Sequence, residues 1–127
     1  MHPSFDNAAL RCEGTSIRLL ASQCSRCENI SFPCRERCAK CYAPASQIEL
    51  AESGTVLSHC TAAFPIAGVQ PPVTIAQVRI GDADIEILGV STGPVRIGDV
   101  VSVVPRTAST EDALFTTYGF EKESRDA

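Results

Sequence analysis

The sequence predicts a mostly β protein: a short N-terminal helix, a cysteine-rich zinc ribbon and then a small five-stranded barrel. Two observations carry that prediction. Cys24-Ser-Arg-Cys27 and Cys38-Ala-Lys-Cys41 are two CxxC pairs separated by ten residues, a spacing in which two tight turns present four thiolates to one tetrahedral zinc. From Ser53 onward, short β-branched runs are punctuated by Gly and Pro, which is an all-β texture. The chain divides accordingly into residues 1–23 as helix and lead-in strand, 24–52 as the ribbon and 53–127 as the barrel.

Within Pro3 to Glu13, Phe5, Ala8, Ala9 and Cys12 stand at helical spacings, with Ser4 or Asp6 placed to cap and Gly14 to end the helix. Thr15 to Gln23 reads as a strand, because Ile17, Leu19 and Ala21 alternate with Arg18, Leu20 and Ser22. Cys24 to Cys41 holds almost no apolar core, so burial alone does not fold it. Gln47 to Glu52 reads as a return strand with Ile48 and Leu50 on one face. Further on, Thr55 to Phe64 is a strand, and Pro65 to Pro72 is a loop. Val73 to Ile80 and Ala83 to Val90 flank Gly81-Asp82 as a hairpin. Turns at Gly93-Pro94 and Gly98-Asp99 precede a β-branched run from Val100 to Val104 that Pro105 ends. Thr107 to Asp112 reads as loop, Ala113 to Phe120 as the last strand, and Glu121 to Ala127 as a frayed tail. Five short strands of this kind suit a closed barrel better than a sandwich.

Composition narrows the function classes. The 127 residues carry a net charge of −4, and from Ser53 to Ala127 five basic residues face nine acidic ones, so no basic field is present to collect nucleic acid. The start lacks a basic and apolar leader, and no apolar run is long enough to span a membrane. The expectation is therefore a cytoplasmic protein, in a reducing compartment where seven cysteines serve metal rather than disulfides.

Four protein ligands, Cys24, Cys27, Cys38 and Cys41, leave a zinc no open position, so the metal is expected to be structural. Arg26, Arg35, Arg37 and Lys40 against Glu28 and Glu36 return +2 to the −2 of four thiolates on one divalent ion. A redox CxxC needs a βαβ setting that neither pair has. Cys34 lies near enough in sequence to replace a ligand, but following Pro33 at a chain reversal it reads as a non-ligand. Cys12 and Cys60 read as small buried hydrophobes. His59 and Cys60 are neighbours on a strand and point to opposite faces, which argues against a catalytic dyad. No phosphate loop or nucleophile elbow is present, and no catalytic residue is expected.

The order Cys24xxCys27, Phe32-Pro33, Cys38xxCys41, Gly54-Thr55-Val56-Leu57-Ser58, Pro72-Val73 and Ile97-Gly98-Asp99-Val100-Val101, with an aromatic ending at Tyr118 to Phe120, resembles the DUF35 family of acyl-CoA-associated proteins. The resemblance covers nearly the whole chain. It implies a rubredoxin-like zinc ribbon followed by an OB-fold, in an accessory subunit rather than an enzyme. It also implies a thiolase-like partner, or a hydratase or aldolase, with a CoA ester bound jointly. The chain departs from the family pattern at Cys34, where Phe-Pro-Pro-Arg is usual, at Glu28 and Tyr42, where Gly follows each CxxC, and at Cys60, where Thr is common. Docking is expected through Ile30, Phe32 and Pro33 at the ribbon tip and through Phe115, Tyr118 and Phe120 near the C-terminus, since aromatics anchor interfaces. Two other classes compete, a single-stranded nucleic-acid binder and a thiol enzyme using Cys34 or Cys60. The acidic barrel disfavours the first and the missing base the second.

Overall fold

The computed structural model describes residues 2–66, 68–81, 83, 85–109 and 111–123. Among them the expected N-terminal helix is replaced by a single turn and a strand. Asp6 caps that turn: its Oδ1 accepts from the Ala8 amide at 2.8 Å, and its carbonyl accepts from the Ala9 and Leu10 amides at 3.0 Å. The chain then runs straight as β1 (Leu10–Glu13), pairing antiparallel with β2 (Ser16–Cys24) from Leu10↔Leu19 to Glu13↔Ser16. The apolar spacing that suggested a helix is one turn followed by a period of two, with Leu10 and Cys12 inward and Arg11 and Glu13 outward. An isolated helix this short is marginal, whereas β2 offers a ready ladder. Gly14, at φ +58, makes the two-residue turn with Thr15.

β2 is the centre of the first sheet. Through its second half it pairs with β3 (Ile30–Ser31) and with β4 (Ala45–Glu49), from Leu20↔Glu49 to Cys24↔Ala45. Its run Leu19 to Ser22 is buried on both faces rather than one. Ser22 meets the cost of that burial by accepting the Arg35 amide at 3.4 Å. The solvent face is crossed by ion pairs, Arg11 with Glu13 and Glu49, and Arg18 with Glu52.

The barrel comprises β5 (Ser53–Ala62), β6 (Val73–Ile80), β7 (Glu86–Ser91), β8 (Val100–Ser109) and β9 (Leu114–Lys122), closed in the order β5-β6-β7-β9-β8. Its one parallel pair, β7 with β9, meets at Ser91↔Phe120. This is the small five-stranded closed barrel that the sequence predicts. β5 takes a bulge between Val56 and Ser58, which lets one strand bend to pair with both β6 and β8. β8 is longer than expected, running through Pro105 to Ser109. Its pairing with β5 stops at Ser102, so Pro105 faces an open edge where a missing donor costs nothing. Glu121 and Lys122, expected in a frayed tail, belong to β9; residues 124–127 of that tail lie outside the described residues.

One core joins the two parts. Leu10, Leu19 and Ala21 from the sheet and Leu50 just past β4 pack with Val56, Val78, Ile80, Val101 and Phe120 from the barrel. Residues before β1 also strap onto β9: Phe5 donates to the Thr116 carbonyl at 2.8 Å and Thr116 donates to the Pro3 carbonyl at 2.7 Å. No helix of the described chain is long and apolar enough to cross a membrane.

Candidate metal centre

β2 ends at Cys24 and runs directly into the first CxxC turn, while β4 starts just past the second. The ladder between these strands therefore sets two cysteine turns side by side. The sulfurs of Cys24, Cys27, Cys38 and Cys41 all lie within 4.8 Å of one another. Cys24 and Cys41 sulfurs are 3.4 Å apart, and Cys27 lies 3.6 Å from both Cys38 and Cys41. A tetrahedral zinc with Zn–S bonds of about 2.3 Å requires sulfur separations of about 3.8 Å. The arrangement fits such an ion, and the four residues can hold a metal of that kind.

The two turns share three hydrogen bonds at equivalent positions. Cys24 Sγ accepts from the amides of Arg26 at 3.3 Å and Cys27 at 3.4 Å; Cys38 Sγ accepts from Lys40 at 3.3 Å and Cys41 at 3.5 Å. Cys24 and Cys38 in turn donate their own amides to the carbonyls of Asn29 and Ala43 at 2.9 and 2.8 Å. Amide donors favour a charged sulfur. The Cys41 and Lys40 amides hold the Cys38 thiol down to about 6, and the Cys27 amide likewise lowers Cys24. Such donors orient thiolate ligands around a metal and offset their charge.

No protein-family model matches this sequence and no curated protein does. Solved structures do match, among them two that are similar over most of this chain. One is described as the Ltp2-ChsH2(DUF35) aldolase, with a TM-score of 0.67 and 22% identity, covering 83% of this chain and 84% of that one. The other is a DUF35-family protein of unknown function from Sulfolobus solfataricus, with a TM-score of 0.54 and 22% identity, over 84% of this chain and 76% of that one. The chain has the DUF35 fold.

Against the DUF35 pattern, the departures at Glu28 and Tyr42 acquire a physical meaning. Each follows a CxxC pair, and each sits in the left-handed region, at φ 62 and φ 64, where glycine carries no penalty and other residues are strained. Tyr42 is exposed and lies under the Arg37 guanidinium, 5.9 Å from ring centroid to Cζ. Cys34, the third departure, stands outside the sulfur cluster; its amide donates to the Ala8 carbonyl at 2.8 Å. Cys60 is exposed rather than buried, beside an exposed His59 on β5, while Cys12 is half-buried against the core.

The expected docking residues do not form one surface. Phe120 is 0% exposed and fills the barrel, because a barrel of five strands needs a large side chain at its centre and Gly89 leaves room for the ring. It cannot anchor a partner. Ile30 and Phe32 are half-buried against the core and Pro33 is exposed. Phe32 meets Tyr118 edge-on at 6.0 Å, Tyr118 meets Phe120 at 5.9 Å, and Phe115 meets Phe5 at 6.0 Å. Phe32, Pro33 and Tyr118 line a cleft of about 420 Å³ between the sheet and the barrel. Arg106, on β8, lines it too, with Nε and Nη1 buried and without a hydrogen-bond partner. A lone arginine after a proline carries no signal in the sequence, so this residue was not legible there.

Proposed function

We propose that this chain is a noncatalytic zinc-ribbon and OB-fold accessory subunit that docks on a thiolase-like acyl-CoA enzyme and helps form its CoA-ester channel. The observation that carries the reading is the likeness, over most of both chains, to the structure named Ltp2-ChsH2(DUF35) aldolase. That name favours a second reading, in which the partner is an aldolase; a hydratase is the remaining class that the sequence resemblance implies. A donor set of four thiolates favours zinc. Four protein ligands make it a cross-link for a segment with little apolar core. The reducing cytoplasm, where such thiols stay free for metal, is the compartment we assign. A pocket for a whole CoA ester requires walls from a partner, which also supplies the reacting groups.

Co-expression with thiolase-like, aldolase and hydratase enzymes encoded beside this gene tests the proposal. The expected result is co-elution on size exclusion with one of them and acyl-CoA turnover only by the complex. Full activity of that enzyme without this chain, or turnover of acyl-CoA by this chain alone, overturns it.

A further inference from the structure

We infer that the cleft between the cysteine sheet and the barrel binds a monocarboxylic acid with an apolar body, its carboxylate held by Arg106. Arg106 is half-buried, but its Nε and Nη1 are buried without a hydrogen-bond partner; that is a costly feature in a folded chain, and a carboxylate placed against them is the ligand that removes the cost. The site is built to receive one. Gly119 has no side chain where a Cβ would come within 3.3 Å of Arg106 Cδ, so the arginine stem lies flat across β9 and its head is carried to the cleft. Burial works against the charge on this guanidinium and pulls its pKa down, and an anionic partner would restore it.

The rest of the cleft specifies what the carboxylate is attached to. Phe5, Phe32, Ile75, Leu88 and Tyr118 supply apolar walls, and the Tyr118 hydroxyl already donates to the Leu88 carbonyl, so its ring acts as a wall and not as a second donor. Phe5 is 60% exposed and Leu88 63% exposed, which leaves two large apolar side chains in water beside the cleft until something covers them. A volume near 420 Å³ suits a small ligand. Asp6 also lines the cleft. Asp6 is exposed and its Oδ1 is already taken by the Ala8 amide, so Arg106 is left to balance a single negative charge, and a phosphate dianion would leave one uncompensated against apolar walls. The inference concerns this chain by itself and does not rest on the accessory-subunit reading.

Titration of the full chain, alone and at neutral pH, tests it by calorimetry and by NMR shifts of the Tyr118 and Phe32 rings. The probes are sodium octanoate, octanol, octyl phosphate and inorganic phosphate. Octanoate is expected to saturate and to bind more tightly than the other three, with ring shifts at the cleft. Arg106→Met is expected to weaken octanoate at least about tenfold, as loss of a charged hydrogen-bonded pair does. Arg106→Lys, which keeps the charge without the planar fork, should fall between. Leu88→Glu, an exposed position that leaves the core untouched, should also weaken octanoate by repulsion and serves if Arg106→Met does not fold. No saturable octanoate binding, octanol binding equally well, tighter binding of octyl phosphate, or unchanged octanoate affinity in the Arg106 variants overturns the inference.

Discussion

Replacing Gly89 by alanine should destabilise the chain through a clash that the neighbouring rings cannot relieve. Gly89 lies on β7, and a Cβ there would stand 2.6 Å from Cε2 of Phe120 and 2.8 Å from Cε2 of Tyr118. Neither ring has room to retreat, since Phe120 is fully buried and Tyr118 is tied by its hydroxyl to the Leu88 carbonyl. Overpacking of this kind costs about 1–3 kcal/mol. Alanine recovers about 0.5–1 kcal/mol of the entropy that glycine loses in a strand. With both contacts under 3.0 Å the upper part of that range, about 2–3 kcal/mol, applies, so the net expectation is a loss of about 1–2.5 kcal/mol, or a fall of roughly 3–12 °C in Tm for a chain of this size. Gly93→Ala is the control, because a Cβ there meets nothing within 4 Å and its backbone is not left-handed. It should be neutral or stabilising by up to about 1 kcal/mol. Urea unfolding of both variants, followed by far-UV circular dichroism, decides the matter. A Gly89→Ala chain as stable as the parent, or a Gly93→Ala chain equally damaged, refutes the packing argument.

Cys24→Ser or Cys41→Ser should abolish stoichiometric metal and loosen the segment from Cys24 to Ala45, whereas Cys34→Ser, outside the cluster, should keep full metal by elemental analysis. The reverse pattern would reassign the ligands. Glu28→Gly relieves a left-handed residue and should raise stability by up to about 1 kcal/mol in the same urea titration. A loss would show that the Glu28 side chain matters more than its backbone. The Arg96 amide, 2.8 Å from Asp99 Oδ2, and then Lys122 hold the Asp99 carboxyl below its usual range. Its contribution is therefore present above the unfolded value near pH 4 and fades as pH falls through the lower folded value. Asp99→Asn should melt below the parent at pH 7 and converge with it in acid, and a constant gap across pH 2–8 counts against this. Submicromolar, salt-sensitive binding of an oligonucleotide, measured by fluorescence anisotropy, is not expected from so acidic a barrel.

Much of the fold was legible because the punctuation is local. Val73 to Ile80 is a strand with the bounds its pattern predicts, and Gly98, at φ +94, makes the turn that Gly98-Asp99 announced. The CxxC spacing likewise foretold which four sulfurs meet. What was lost depends on partners distant in sequence. Leu10 to Glu13 is strand because β2 lies alongside, and Pro105 sits inside β8 because β5 has already left that edge. Phe120 is core and Arg106 lines a cleft for the same reason: the closing of the barrel decides which way β8 and β9 face.

Phe32 and Pro33 lie between the two cysteine pairs in the chain, and they are also a wall of the cleft, with the Phe32 ring set against Tyr118 at 6.0 Å. The loop is further tied to the N-terminal turn where the Cys34 amide meets the Ala8 carbonyl. An ion that fixes the cysteine turns thus fixes a side of the cleft some distance from its own sulfurs. Reciprocity then requires that an occupant of the cleft raise the equilibrium affinity of the cysteine turns for the ion. Resistance to a chelator becomes a reporter of cleft occupancy, readable without any enzyme assay.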